Sequence, residues 1–114
     1  MAESHSAGVP VDVPAGSTIA DGLAVRVAIP LAVERLRAAI DQMVRVSERA
    51  MAAALVACHD AGVPVEPSAA AAVAAVRDGA GVAGAGPVVL VMTGRNVDAA
   101  LVERARRNPD SFPG

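Results

Sequence analysis

The hydrophobic and polar positions of this chain follow two different periods, and the changes of period mark the predicted elements. Apolar residues recur three to four positions apart after Pro30, Ser47, Pro67 and Asn96, which is the spacing of an amphipathic α-helix. Between these segments lie short apolar runs rich in β-branched residues, MVRV, VPVE and VVLVM, which favour strands. Alternating strands and helices predict an α/β fold, a small three-layer arrangement with a short, mostly parallel sheet and crossover helices.

Capping residues predict where the helices begin and end. Ser47 is a good N-cap for the helix that Gly62 ends. Pro67 and Ser68 open an alanine-rich helix that ends near Gly79. The last helix is predicted to begin at the N-cap residue Asn96 and to end near residue 108.

The remaining segments contain many residues that favour loops. Residues 1–17 are rich in Pro, Gly and Ser and predict an extended lead-in. The glycine-rich segment 79–87 predicts a flexible surface loop, and 109–114 predicts a frayed tail. The predicted division is therefore a lead-in (1–17), a partial domain (18–108) and a tail (109–114).

Composition narrows the possible functions. The chain has 114 residues, a net charge of -2 and 1% aromatic residues, which argues against nucleic-acid partners. Its amino terminus resembles no signal peptide, and no apolar run is long enough for a membrane span. These features predict a cytoplasmic protein without membrane contact. All ten basic residues are arginines, so the chain has no lysine to form a Schiff base or to bind phosphate in a P-loop.

Candidate chemistry lies at three turns where predicted strands end, the place where open α/β sheets bind ligands. Thr93 is positioned to present a hydroxyl to a ligand beside Gly94 and Asn96, although its spacing favours a hydroxyl that caps the following turn or hydrogen-bonds to the backbone. Glu66 precedes a helix, so its carboxylate either contacts a ligand or only stabilises the helix start through its interaction with the helix dipole. Asp21 and Gly22 form a turn in which aspartate commonly bonds its own backbone.

No metal site is predicted, because His5 and His59 share no ligand spacing with the carboxylates or with Cys58. Cys58 is expected to pack in the core, since it lies on the apolar side of a helix. His59 is expected at a helix end and His5 in a solvated tail.

In order along the chain, TIADGLAV, MVRVSERAMAAA, VPVEPSAAAAVAA and VVLVMTGRNVD resemble the carboxy-terminal third of fold type II pyridoxal-phosphate enzymes. These form the tryptophan-synthase-β superfamily, and threonine/serine dehydratases and serine racemases are the most similar members. The resemblance spans about residues 8–107. It implies a partial domain of that fold, with pyridoxal 5'-phosphate as cofactor and a small amino acid as substrate.

The resemblance also implies roles for the turn residues. Thr93 occupies the position whose hydroxyl or thiol hydrogen-bonds the pyridine nitrogen of the cofactor, and Glu66 lies close to its ring. Gly94 and Asn96 match the cofactor-binding turn, where Arg95 replaces a family glycine. Asp21 and Gly22 match a segment of the pocket wall. This chain supplies no catalytic residue, because the Schiff-base lysine is absent.

Two functional hypotheses follow. The first is a truncated or split dehydratase-like enzyme, inactive alone, that needs an upstream companion chain carrying the lysine and the phosphate loop. The second is a non-catalytic α/β binding or subunit protein derived from that scaffold. Uncovered strand edges predict a companion chain, a homo-oligomer or poor solubility.

Overall fold

The computed structural model describes residues 1–14, 16–79 and 86–114. Most of the glycine-rich loop predicted at residues 79–87 lies outside this part of the chain. The described helices, in chain order, are α1 (Ala2–Ala7), α2 (Pro30–Ala39), α3 (Glu48–Asp60), α4 (Pro67–Arg77) and α5 (Ala99–Arg107). Two short 3₁₀ turns accompany them, Asp21–Leu23 and Pro109–Ser111.

The predicted three-layer α/β fold with a parallel sheet is wrong, since the chain is helical. Across the described ranges no strand forms, and β-type pairing is limited to one isolated antiparallel bridge between Asp12 and Val27. The three predicted strands are not helical, but they lack ladder partners. VPVE shares one backbone hydrogen bond with the later turn, from Glu66 N–H to the Gly94 carbonyl, and one bond does not make a sheet.

The core lies between α3 and α4, which make the most extensive contact in the chain. Small side chains line it, because Ala54, Ala70 and Ala74 are fully or almost fully buried. Leu55 is the large aliphatic side chain at its centre. The alanine-rich helix α4 therefore packs closely against α3.

The helix boundaries follow local capping chemistry. Ser47 Oγ accepts a hydrogen bond from Ala50 N–H at 3.1 Å and caps α3 as predicted. Gly62 adopts a left-handed φ of 75° just beyond the end of that helix. The predicted N-cap at Asn96 is wrong by two residues, because Asp98 Oδ1 accepts from Ala100 N–H and caps α5 instead. Asn96 N–H donates to Glu66, which holds the preceding turn outside the helix.

The carboxy-terminal segment is packed, so the expectation of a frayed tail is wrong. Phe112 is 2% exposed and lies against α3 and α5. The Arg104 guanidinium stands 4.3 Å from the centre of its ring, and it donates hydrogen bonds to Ser111. Arg49 N–H donates to the Pro113 carbonyl at 2.9 Å. The lone aromatic residue thus anchors the tail.

The amino-terminal segment also differs from the extended lead-in that its composition predicted. Residues 2–7 form α1, which ends at Gly8 with a left-handed φ of 75°. Ser4 is buried, and its hydroxyl accepts a hydrogen bond from Val11 N–H at 3.0 Å. This contact folds the chain back on α1, and α1 packs on α2. His5 therefore lies in a helix with a buried Nε2, and not in a solvated tail.

None of the described helices combines the length and apolarity needed to cross a membrane.

Candidate functional site

The first feature of the site is the contact between the start of α4 and the turn at residues 94–96. Glu66 N–H donates to the Gly94 carbonyl at 2.9 Å, and Asn96 N–H donates to Glu66 Oε2 at 3.3 Å. Two turns that are 28 residues or more apart in the sequence are thereby held together. Glu66 is the N-cap residue of α4 but makes no side-chain cap, because its carboxylate is turned toward this neighbour.

Gly94 is required at this contact because of space. A Cβ atom built on Gly94 would overlap the carboxylate of Glu66. Its φ is not positive, so backbone freedom is not the reason for glycine here. The carboxylate lies directly against the Gly94 backbone, and any side chain would push it away.

The third turn meets the other two at Gly22. A Cβ atom there would come within 2.8 Å of Ser68 Oγ and 3.8 Å of Glu66 Oε1. Asp21 Oδ1 accepts a hydrogen bond from Gly22 N–H at 2.8 Å, the local Asp-Gly bonding considered from the sequence. The structure therefore brings Gly22, Glu66 and Gly94 together, while the Asp21 carboxylate serves its own turn.

Ser68 is a site residue that sequence reasoning missed. Its Oγ is buried and has no hydrogen-bond partner among the described residues, which is unusual for a buried hydroxyl. The Pro-Ser pair indicated only a helix start. No sequence signal shows that Gly22 covers this hydroxyl, because the contact depends on tertiary packing.

Thr93 lies at the exposed edge of the site. Within residues 1–14, 16–79 and 86–114, its hydroxyl makes neither the cap nor the backbone hydrogen bond that the sequence also allowed. The hydroxyl therefore has donor and acceptor capacity left for a ligand. Arg95, the next residue but one, is likewise exposed.

A groove of about 970 Å³ extends from this cluster along one side of the molecule. Gly22 and Ser68 belong to its lining, and the remainder is mostly apolar. The residues that form the rest of its walls include Leu23, Val25, Met43, Val44, Val46, Met51, Ala71, Ala72 and Ala75.

The other candidate residues take part in the packing and hydrogen bonding of the protein itself. Cys58 is buried, as predicted, and His59 Nε2 lies 3.1 Å from the Val65 carbonyl. No group of three potential metal ligands occurs in the part of the chain that the structure describes. The hydrogen bond and charge of Asp60 raise the pKa of Arg106 above its ordinary value, and this pair links α3 to α5 away from the site.

Three turns therefore meet around the Glu66 carboxylate at the start of α4. A family model described as "Pyridoxal-phosphate dependent enzyme" matches residues 1–94, most of the chain. The chain belongs to this family of pyridoxal-phosphate-dependent enzymes. Gly94 is the last matched residue, so Arg95 and Asn96 lie beyond the match. No curated protein matches the chain.

The residues present fit one part of this cofactor. The free hydroxyl of Thr93 suits a pyridine nitrogen, and the bare backbone of Gly94 leaves room for a flat ring. They do not fit its covalent attachment, because the sequence contains arginine but no lysine. The chain can therefore contact the pyridine ring of the cofactor, but it has no lysine amine to react with the cofactor's aldehyde.

Proposed function

We propose that this chain forms one wall of the cofactor pocket in a threonine/serine dehydratase-like enzyme. Such an enzyme eliminates water from a small hydroxyl-bearing amino acid and releases ammonia and a 2-oxo acid. The observation that carries the proposal is the contact of Glu66 with the turn at residues 94–96, directly beside the free hydroxyl of Thr93. The family match supports the same cofactor.

In this proposal the chain binds the cofactor and orients its ring. Pyridoxal phosphate, when bound, supplies an electron sink for the bonds around the substrate α-carbon. The Thr93 hydroxyl hydrogen-bonds the pyridine nitrogen as a neutral partner. Glu66 holds the turn in place through Asn96 N–H and close packing on Gly94. Gly22 from the third turn and Ser68 at the start of α4 close the pocket wall.

We further propose that a companion chain carries the Schiff-base lysine and the phosphate-binding loop. All ten basic residues of this chain are arginines, and a guanidinium does not form the Schiff base that a lysine amine forms. The isolated chain is therefore expected to have no dehydratase activity. It is also expected to bind the cofactor weakly, since only one wall is present.

The test measures 2-oxobutanoate from L-threonine with added pyridoxal phosphate. The chain alone is expected to give none. Turnover is expected once the product of a neighbouring reading frame, bearing a lysine segment and a glycine-rich loop, is added. With that companion, Thr93→Val should lower the rate about 10-fold, because one hydrogen bond to the cofactor is lost. Thr93→Ser keeps the hydroxyl and is the matched control.

Two results would contradict this function. Turnover by the chain alone would remove the need for a companion lysine. Equal rates for Thr93→Val and Thr93→Ser in the reconstituted enzyme would remove the role of the hydroxyl.

A second candidate is a non-catalytic subunit that keeps the family scaffold, and the absence of lysine favours it. It differs in one measurable respect. A non-catalytic subunit changes the stability or regulation of a partner that is already active without it, whereas the split enzyme has no activity until both chains are present.

A further inference from the structure

Residues 88–92, named here the apolar segment, are exposed although their side chains are hydrophobic. Val89 is 84% exposed and Val91 is 73% exposed, and Val88 and Met92 are also exposed. Both faces of the segment therefore carry apolar surface in contact with water. A contiguous exposed hydrophobic patch usually marks an interface.

The backbone of the apolar segment is also unpaired. Among the described residues, no backbone hydrogen bond involves residues 88–92. No charge lies between Gly86 and Gly94, and charges are the usual protection of an open strand edge. The backbone N–H and C=O groups of the segment can therefore form hydrogen bonds with another extended chain.

The groove beside Ser68 has a wall with matching properties. Residues 43–46 form part of this wall, are not helical, and make no backbone hydrogen bond with the described chain. The groove's charged side chains are engaged elsewhere, since Arg45 pairs with Glu3 and Glu48 accepts from Ile19 N–H. An incoming strand would meet free backbone on the wall and alanine side chains on α4.

The volume of a five-residue strand agrees with the volume of the groove. A five-residue strand is about 17 Å long, and spacings of about 4.8 Å within a sheet and 10 Å between layers give it a volume of about 800 Å³. The groove holds about 970 Å³. The apolar segment of the same chain is not among the residues that line it.

We propose that copies of this chain associate by inserting the apolar segment of one copy into the groove of another, beside residues 43–46. Each chain then covers both a strand and a groove. The apolar segment carries no charge, and Arg45 and Glu48 in the groove are already paired with Glu3 and with Ile19 N–H, so the contact brings no like charges together. This inference does not depend on the cofactor.

The experiment is sedimentation analysis of the purified full chain. The native chain is expected to sediment with a mass at least twice the 11.3 kDa of one chain. The double variant Val89→Lys/Val91→Lys places charges on the strand, and Val44→Lys places one in the groove. Both are expected to be monomeric with unchanged helical circular dichroism, because all three side chains are exposed in the single chain. Val9→Lys, on exposed surface outside both elements, is the control that stays associated.

Mixing the two monomeric variants tests how the surfaces pair. The mixture contains one native strand and one native groove, so association should partly return. A native chain that is monomeric at all concentrations would overturn the proposal. So would a Val44→Lys variant as associated as the native chain, because that result would indicate strand-to-strand pairing. A mixture that stays monomeric would also overturn it, because a native strand and a native groove would then be insufficient for association.

Discussion

At the scale of single residues, the site depends on the lack of a side chain at Gly94. Gly94 lets the Glu66 carboxylate lie against the backbone of a turn that is distant in sequence. The carboxylate then accepts a hydrogen bond from Asn96 N–H. One glycine therefore decides where a charge lies and how the Thr93 turn is oriented.

Gly94→Ala should destabilise the fold by about 1–3 kcal/mol, the usual cost of forcing an extra methyl group into a packed position. Urea unfolding followed by circular dichroism measures this change. Gly86→Ala is the matched control, because no described residue lies within 4 Å of a Cβ atom at Gly86 and its φ is not positive. Equal unfolding midpoints for the two variants would show that Glu66 moves aside freely.

The sequence identified part of this site. The pattern of an apolar run, a turn and a helix selected Thr93, Gly94 and Asn96, and the Glu-Pro step selected Glu66. Local pattern carried no information on Ser68, whose environment is created by Gly22 from 46 residues earlier. Which alternative Thr93 adopts depends on the tertiary structure, since a hydroxyl at a turn either bonds its own backbone or stays free of it.

At the scale of elements, α3 and α5 begin at side-chain caps. Ser47→Ala should cost about 1 kcal/mol, because it removes the acceptor for Ala50 N–H at the start of α3. The thermal unfolding midpoint reports the change. Ser17→Ala, at an exposed position outside the helices, should leave the midpoint unchanged. A similar midpoint for both variants would mean that α3 is held by packing alone.

The tail gives a second element-scale prediction. Phe112→Ala should cost about 3–5 kcal/mol, because it empties a buried aromatic site and removes the contact with Arg104. Chemical denaturation measures the loss, and Phe112→Leu should show a smaller one. Unchanged stability in Phe112→Ala would indicate that residues 109–114 do not contribute to the fold.

Helices were predicted better than strands for a physical reason. Ser47 and Pro67 start their helices through local chemistry, which a short segment contains in full. The predicted strands at residues 43–46 and 88–92 have the right composition, but a strand is stable only beside another strand. Composition does not say whether that neighbour is present, so the inferred sheet was wrong.

At the scale of the whole molecule, the exposed apolar side chains and free backbone groups of residues 88–92 favour association between copies. If copies associate through residues 88–92, the thermal midpoint should rise with protein concentration, because mass action favours the associated folded state. Differential scanning calorimetry over a wide concentration range measures this. The Val89→Lys/Val91→Lys variant should show no such dependence, and a concentration-independent native midpoint would argue against association.

The alanine contact between α3 and α4 has a thermal consequence. Alanine loses no rotamer freedom on burial, so bringing these helices together costs little side-chain entropy. It also removes little apolar surface from water, and the heat capacity change of unfolding scales with that surface. The stability of the monomeric fold should therefore vary gently with temperature, with a low maximum and a broad, shallow decline on either side.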